Sequence, residues 1–174
     1  MCVIGTPGVG KTWLAVRLAA ILDVPHIDLD AFKLQPERKL ASPEELTAAV
    51  SSVITTDRWL LDGNWNDDEL ADLAWSRAEA LVWVDYPRWQ VMAQVGARSV
   101  WWALTRHEHH GWRERPSSWF SPNRPIRRSW KMHAGYRRRY SSMIASRADL
   151  TTVRLASRSQ ARRLLASPPL ATKR

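Results

Sequence analysis

Gly5-Thr6-Pro7-Gly8-Val9-Gly10-Lys11-Thr12 is the stretch that decides how this chain is read. It satisfies G-x-x-x-x-G-K-[ST] at every fixed position, and its flanks suit the mechanism behind that pattern. Before it stands the short apolar run Met1–Ile4, a strand by composition. After it, Trp13, Leu14, Val16, Leu18, Ile21 and Leu22 recur at helical spacing, which predicts a helix over Lys11–Leu22. The glycines let the backbone curl until successive N–H groups converge on one anion, and the helix N-terminus adds the positive end of its dipole. Gly5, Thr6, Pro7, Gly8, Val9, Gly10, Lys11 and Thr12 are therefore expected to hold the phosphates of a nucleotide. Lys11 is expected to reach the β- and γ-phosphates, and the Thr12 hydroxyl is placed to ligate Mg²⁺. ATP and Mg²⁺ are the ligands this reading implies.

Working outward, Asp23 and Pro25 end the first helix, and Pro25–Leu29 reads as a second strand. Ser42-Pro43-Glu44-Glu45 is a helix start, with Ser42 as cap, Pro43 at the first helical position and Glu45 completing a capping box. That helix is predicted to run to about Thr56, and Arg58–Asp62 is a third strand. A polar segment leads to a fourth strand, Ala80–Asp85, closed by Asp85-Tyr86-Pro87. Then come a long helix over Arg88–Arg106, a loop or flap rich in His, Arg, Pro and Ser over 107–125, and a basic helix over Ile126–Ser146. Leu150–Leu155 is a fifth strand and Ser159–Ala166 a last helix. Strands alternating with helices mean an α/β fold with a parallel sheet. No repeat or linker divides the chain, so one domain over 1–174 is expected.

Composition agrees. The chain has 174 residues, 45% hydrophobic and 25% charged, a balance that excludes disorder, collagen and coiled coil. Cys2 is the only cysteine, so no intramolecular disulfide and no cysteine-based zinc cage forms. No apolar run approaches the roughly 18 residues of a spanning helix, and a soluble, cytoplasmic protein is the expectation. The net charge of +9 is unevenly spread: residues 1–87 carry −7 and residues 88–174 carry +16. A basic half implies a polyanionic partner, a phosphorylated ligand, or a solvated face.

Nothing resembles N-K-x-D, which argues against a guanine-reading GTPase. Asp62 is followed by Gly63 and Asp85 by Tyr86, so neither strand end offers the Asp-Glu pair of mechanical ATPases. Transfer to a bound acceptor is therefore favoured over hydrolysis.

These residues resemble a family. Gly5–Thr12, Asp28-Leu29-Asp30, Trp59-Leu60-Leu61-Asp62-Gly63-Asn64 and Val84-Asp85-Tyr86-Pro87-Arg88-Trp89 look like the adenylate-kinase-like P-loop proteins often labelled DNA topology modulation proteins. The resemblance implies the nucleoside-monophosphate-kinase fold, a five-stranded parallel sheet of order 2-3-1-4-5, an acceptor-binding insert over about 31–57 and a basic lid over about 107–125. It implies an ATP-dependent kinase acting on a small-molecule acceptor, without naming that acceptor. The alternative is a nucleic-acid-associated NTP-binding protein or NTPase that uses its basic second half.

Asp62 resembles the aspartate that lies near Mg²⁺ and its waters in adenylate kinases, with Asp85 as the rival carboxylate. Adenylate kinases carry Asp-Gly-Phe-Pro-Arg there, whereas the run here is Asp62-Gly63-Asn64-Trp65, so the Pro-Arg that helps fix AMP is missing and AMP as acceptor is in doubt. Asp28 and Asp30, two residues apart on an extended chain, face the same way toward the acceptor. Asp30 is the candidate base, with a helix cap as its other reading. Arg98 falls where related kinases carry an arginine near ATP, while a second family arginine one turn earlier is Gln94 here. Lys131 and Arg137, on the basic helix after the flap, are expected to close on the phosphates. His107-Glu108-His109-His110 fails the H-E-x-x-H zinc pattern because Gly111 takes the last position. Tryptophans among arginines, such as Trp101, Trp102, Trp112, Trp119 and Trp130, are read chiefly as packing, with stacking on a base as the other option.

Overall fold

The computed structural model describes residues 1–33, 41–65, 67–105, 108–109, 112–113 and 125–168. Strand β1 (Cys2–Gly5) leads through the glycine loop into helix α1 (Lys11–Leu22), then β2 (His26–Asp28), the one-turn α2 (Leu29–Lys33) and α3 (Pro43–Ile54). Next are β3 (Leu60–Asp62), α4 (Asp68–Ser76), β4 (Ala80–Val84) and α5 (Arg88–Thr105). A short antiparallel pair, β5 (Glu108–His109) and β6 (Trp112–Arg113), precedes α6 (Pro125–Ala145), β7 (Thr151–Leu155) and α7 (Arg158–Ala166).

The main sheet is fully parallel, in the order β2-β3-β1-β4-β7. Since β7 is its fifth strand in chain order, this is the expected 2-3-1-4-5 arrangement. Strand residues alternate between two cores, as the two-residue period of a strand demands. Cys2, Ile4, Leu61, Leu81 and Trp83 face α3, α4 and α6, whereas Val3, Leu60, Val82 and Val84 face α1, α5 and α7. With both faces covered, β1 and β4 are buried along their whole length. That burial explains why they read as unbroken apolar runs.

Three local readings need correction. The polar segment after β3 holds α4, whose start is set by Asp67 accepting from the N–H groups of Glu69 and Leu70. Its apolar stripe, Leu70, Ala71, Ala74 and Trp75, is buried inside an acidic stretch that hides it from composition. The segment 107–125 contains the β5–β6 pair in place of plain loop, although most of it, with His107 and His110, lies outside the described residues. Asp28 to Asp30 is not continuous strand, because α2 begins at Leu29. The box at α3 forms as read: Ser42 accepts from Glu45 N–H, and Glu45 accepts from Ser42 N–H at 2.7 Å. Such a cap stabilises a helix by about 1 kcal/mol.

Candidate functional site

Gly5, Asp28, Asp62, Val84 and Leu155 end their strands on one edge of the sheet, where open α/β sheets place ligands. A cavity of about 790 Å³ opens there. One wall is the loop Pro7–Thr12 with Arg98, Arg158 and Arg162, and the other is Asp28, Asp30 and Asn64.

The loop fits a phosphate. Gly10, at the N-cap of α1, has φ 91° and ψ 26°, and no side chain caps the helix. The first amides of α1 therefore remain available to an anion. Gly8, at φ 85°, lies directly on α5: a Cβ there would stand 2.3 Å from Val95 Cγ2. Lys11 is 7% exposed at the foot of the loop. These features form a cradle shaped by backbone, with a buried cation beneath it.

Asp62 fits the position beside a metal. It is fully buried, and its Oδ1 has no hydrogen-bond partner among the described residues. Burial pushes its carboxyl above the usual range, opposed by the Lys11 charge and by hydrogen bonds from Thr12 and His26. His26 Nε2 lies 3.3 Å from Asp62 Oδ2. Thr12 and Asp62 thus stand together, and one buried carboxylate oxygen lacks a donor. Asp85 has a different task. Arg137 Nε approaches its Oδ1 at 2.6 Å, and Arg154 Nε its Oδ2 at 2.9 Å. Held by two arginines, it ties α6 to β7, and neither Asp85 nor Asp62 is among the residues that line the cavity.

Asp28 Oδ1 accepts from Asp30 N–H at 2.9 Å, so Asp28 caps the one-turn α2. The cap reading attached to Asp30 belongs to Asp28. Asp30 lines the cavity and accepts from Asn64 Nδ2 at 3.2 Å. Asn64 is held in turn through its neighbour: Tyr140 Oη accepts from Trp65 N–H at 3.4 Å, and Arg139 Nε donates to Trp65 O at 3.2 Å. Helix α6 thereby fixes the strand-end turn that orients Asp30. Gly63 permits this turn, since a Cβ there would meet Leu29 Cβ at 2.6 Å.

Arg98 lines the cavity. Lys131 is exposed on α6 and Arg137 is engaged by Asp85; neither lines it. Arg158, Arg162 and Tyr86 do line it, and sequence reasoning missed them. One signal was available: Arg158 is a cation in the first turn of a helix, where the dipole disfavours it. The basic second half is partly answered within the chain, by Arg139–Asp68, Arg147–Asp72 and the Asp85 cluster. Trp59, Trp65, Trp75 and Trp83 are core, but Trp101 and Trp130, read as packing, are half exposed, and Trp130 carries Arg88 over its ring at 4.5 Å. Trp119 lies outside the described residues.

Comparison with known proteins agrees with the fold. The backbone resembles that of shikimate kinase from Aquifex aeolicus, with a TM-score of 0.60 at 13% identity over 95% of this chain and 90% of that one. Shikimate kinase from Bacteroides thetaiotaomicron gives 0.59 at 14% over 95% and 93%. A sugar kinase from Janibacter sp. gives 0.51 at 14% over 95% and 88%. The fold is that of P-loop kinases. Residues 1–59 match the family model described as ATPase family associated with various cellular activities (AAA). No curated protein matches the chain. No described helix is long and apolar enough to cross a membrane.

Proposed function

We propose that this protein is an ATP-dependent phosphotransferase of the adenylate-kinase-like P-loop group, acting on a small-molecule acceptor. One observation carries the reading: a single cavity joins the phosphate loop to a carboxylate wall of Asp28 and Asp30. Transfer to a hydroxyl needs a nest for the phosphates and a base beside the acceptor oxygen, and the strand ends lack the Asp-Glu pair with which mechanical ATPases polarise water.

The amides of Gly8, Gly10 and Lys11 hold the outer phosphates, and the Lys11 ammonium balances charge that builds on the bridging oxygen. Thr12 and Asp62, the latter through water, would hold Mg²⁺, which draws charge from the phosphate oxygens when bound. Asp30 takes the acceptor's hydroxyl proton as that oxygen bonds to the γ-phosphorus and the bond to the bridging oxygen breaks. Asn64 orients the Asp30 carboxylate for that step. Arg98 offers a further cation to the phosphates, and Lys131 and Arg137 would reach them only by movement of α6. Catalysis here is positioning and charge neutralisation.

The test is incubation with ATP and Mg²⁺ alone and with a panel of sugars, polyols, shikimate-like acids, nucleosides and nucleotides. ADP formation that rises at least tenfold with one acceptor class supports transfer. ADP formed equally with and without every acceptor overturns it.

A further inference from the structure

Gln94 stands one turn before Arg98 on α5, at the level of the phosphate loop. With its amide nitrogen turned to the loop, it donates to Val9 O at 3.1 Å and Gly8 O at 3.3 Å. Its amide oxygen then accepts from Arg158 Nη2 at 3.2 Å and Nε at 3.1 Å. The opposite orientation would set oxygen against two carbonyls and nitrogen against a guanidinium, so the hydrogen-bond network selects the first. A trans peptide is rigid, with its C=O and N–H pointing opposite ways. Drawing Val9 C=O toward Gln94 therefore turns Gly10 N–H away from Gln94. Gly10 N–H lies at the uncapped start of α1.

Arg158 is the second half of the device. It is the first residue of α7, whose start is fixed by Ser157 accepting from Gln160 N–H and by Gln160 accepting from Ala156 N–H. A cation in that first turn opposes the helix dipole, and departures from local preference concentrate at functional sites. Its partner Gln94 is neutral, and no carboxylate among the described residues pairs with the guanidinium, unlike Arg137 and Arg154, which pair with Asp85. One amide separates Arg158 from the loop carbonyls, and Arg158 lines the same cavity as Lys11.

From this geometry we infer that Gln94 is a positioning residue which sets the phosphate loop and Arg158 in register, and that Arg158 binds the phosphate chain of the nucleotide. This rests on the nucleotide reading above. The device makes the phosphate site a joint product of α1, α5 and α7 rather than of the loop motif alone.

The experiment is calorimetric binding of ATP, and separately of tripolyphosphate, to the full chain, to Gln94→Met, to Arg158→Ala and to the double variant. Met keeps the length of Gln while removing both hydrogen-bonding groups. Each single variant is expected to weaken both ligands about tenfold, the scale of one hydrogen bond to a charged group. The double variant should fall well short of the product of the two, because coupled residues are not additive. Should Gln94→Met unfold, Gln94→Glu serves in its place: it still pairs with Arg158 but offers the loop carbonyls no donor, so binding falls for both ligands. Wild-type affinity in the Gln94 variants, or effects that multiply in the double variant, overturns the coupling. A loss in Arg158→Ala confined to ATP overturns the phosphate contact. If the unaltered chain binds neither ligand, the nucleotide reading itself fails, an outcome distinct from the others.

Discussion

At one end of the cavity the ligand-facing groups come from consecutive residues, Pro7 to Thr12; at the other, Asp28, Asp30 and Asn64 come from two strand ends and are steadied by a third element. The loop end presents amides, Lys11 and arginines, whereas the far end presents carboxylates. The difference is one of construction as well as charge. A phosphate nest can be made from local backbone because every residue carries an N–H. A proton acceptor aimed at one hydroxyl must be a particular side chain held from several directions. Substitutions at the first end should therefore act on nucleotide affinity, and those at the second on transfer.

The largest effect is expected for Lys11→Ala. It removes the cation buried under the loop, and turnover should fall about a thousandfold, the upper range for loss of a group that stabilises developing charge. ATP affinity should fall as well, while the melting temperature holds. Steady-state kinetics with circular dichroism checks this, and undiminished turnover would dissolve the distinction between the two ends.

Gly8→Ala is next. Its φ of 85° and the 2.3 Å approach to Val95 Cγ2 combine left-handed strain with a clash, a cost of about 3 kcal/mol. Gly63→Ala gives the matching test at the far end, where a Cβ would meet Leu29 Cβ at 2.6 Å without a left-handed backbone. Denaturant melts should show Gly8→Ala losing more, and only Gly8→Ala should lose nucleotide affinity in proportion. Equal losses of affinity would mean that the ends are not separable.

Asp30→Asn is expected to slow transfer about a hundredfold, the usual scale for losing a general base, and to leave ATP affinity within about twofold. Single-turnover kinetics beside calorimetry separates the two. Parallel loss would show Asp30 supporting the fold instead of the reaction.

The contrast between the ends also explains what the sequence disclosed. The P-loop was legible because its pattern is one of local backbone geometry, and α1 spans Lys11–Leu22 as read, although of the apolar residues used for it Leu14 and Leu18 are buried while Trp13, Val16 and Ile21 are exposed. The strand order was legible only through family resemblance. The far end was half legible: Asp28 and Asp30 stood out, but which of them caps α2 depends on where β2 stops. The hold of Tyr140 and Arg139 on Trp65 joins residues more than seventy positions apart, and no local pattern records it. Gln94 was seen only as a departure from an arginine, because its partners, the Gly8 and Val9 carbonyls and Arg158, meet it only in the folded chain. The α4 stripe was missed because three acidic residues are interspersed with five apolar ones within a single short helix.

The smallest effect, and the one that probes the boundary between the ends, belongs to Asp62. Burial raises its folded-state pKa above 3.8, so without ligand the native state holds a proton more tightly than the unfolded chain does. Stability must then fall as pH rises from about 4 through the raised value, since the native state binds more protons across that window. Asp62→Asn cannot ionise and escapes the loss. It should melt above the wild type at pH 7 and converge with it below pH 4, as thermal melts across pH will show. Adding ATP and Mg²⁺ should reverse the order at pH 7, because only the carboxylate gains a cation to offset its burial. If Asp62→Asn instead melts lower at pH 7 without ligand, then Asp62 serves chiefly to anchor Thr12 and His26. The oxygen that lacks a donor would in that case be a packing defect, and the metal would have to be held from the loop side alone.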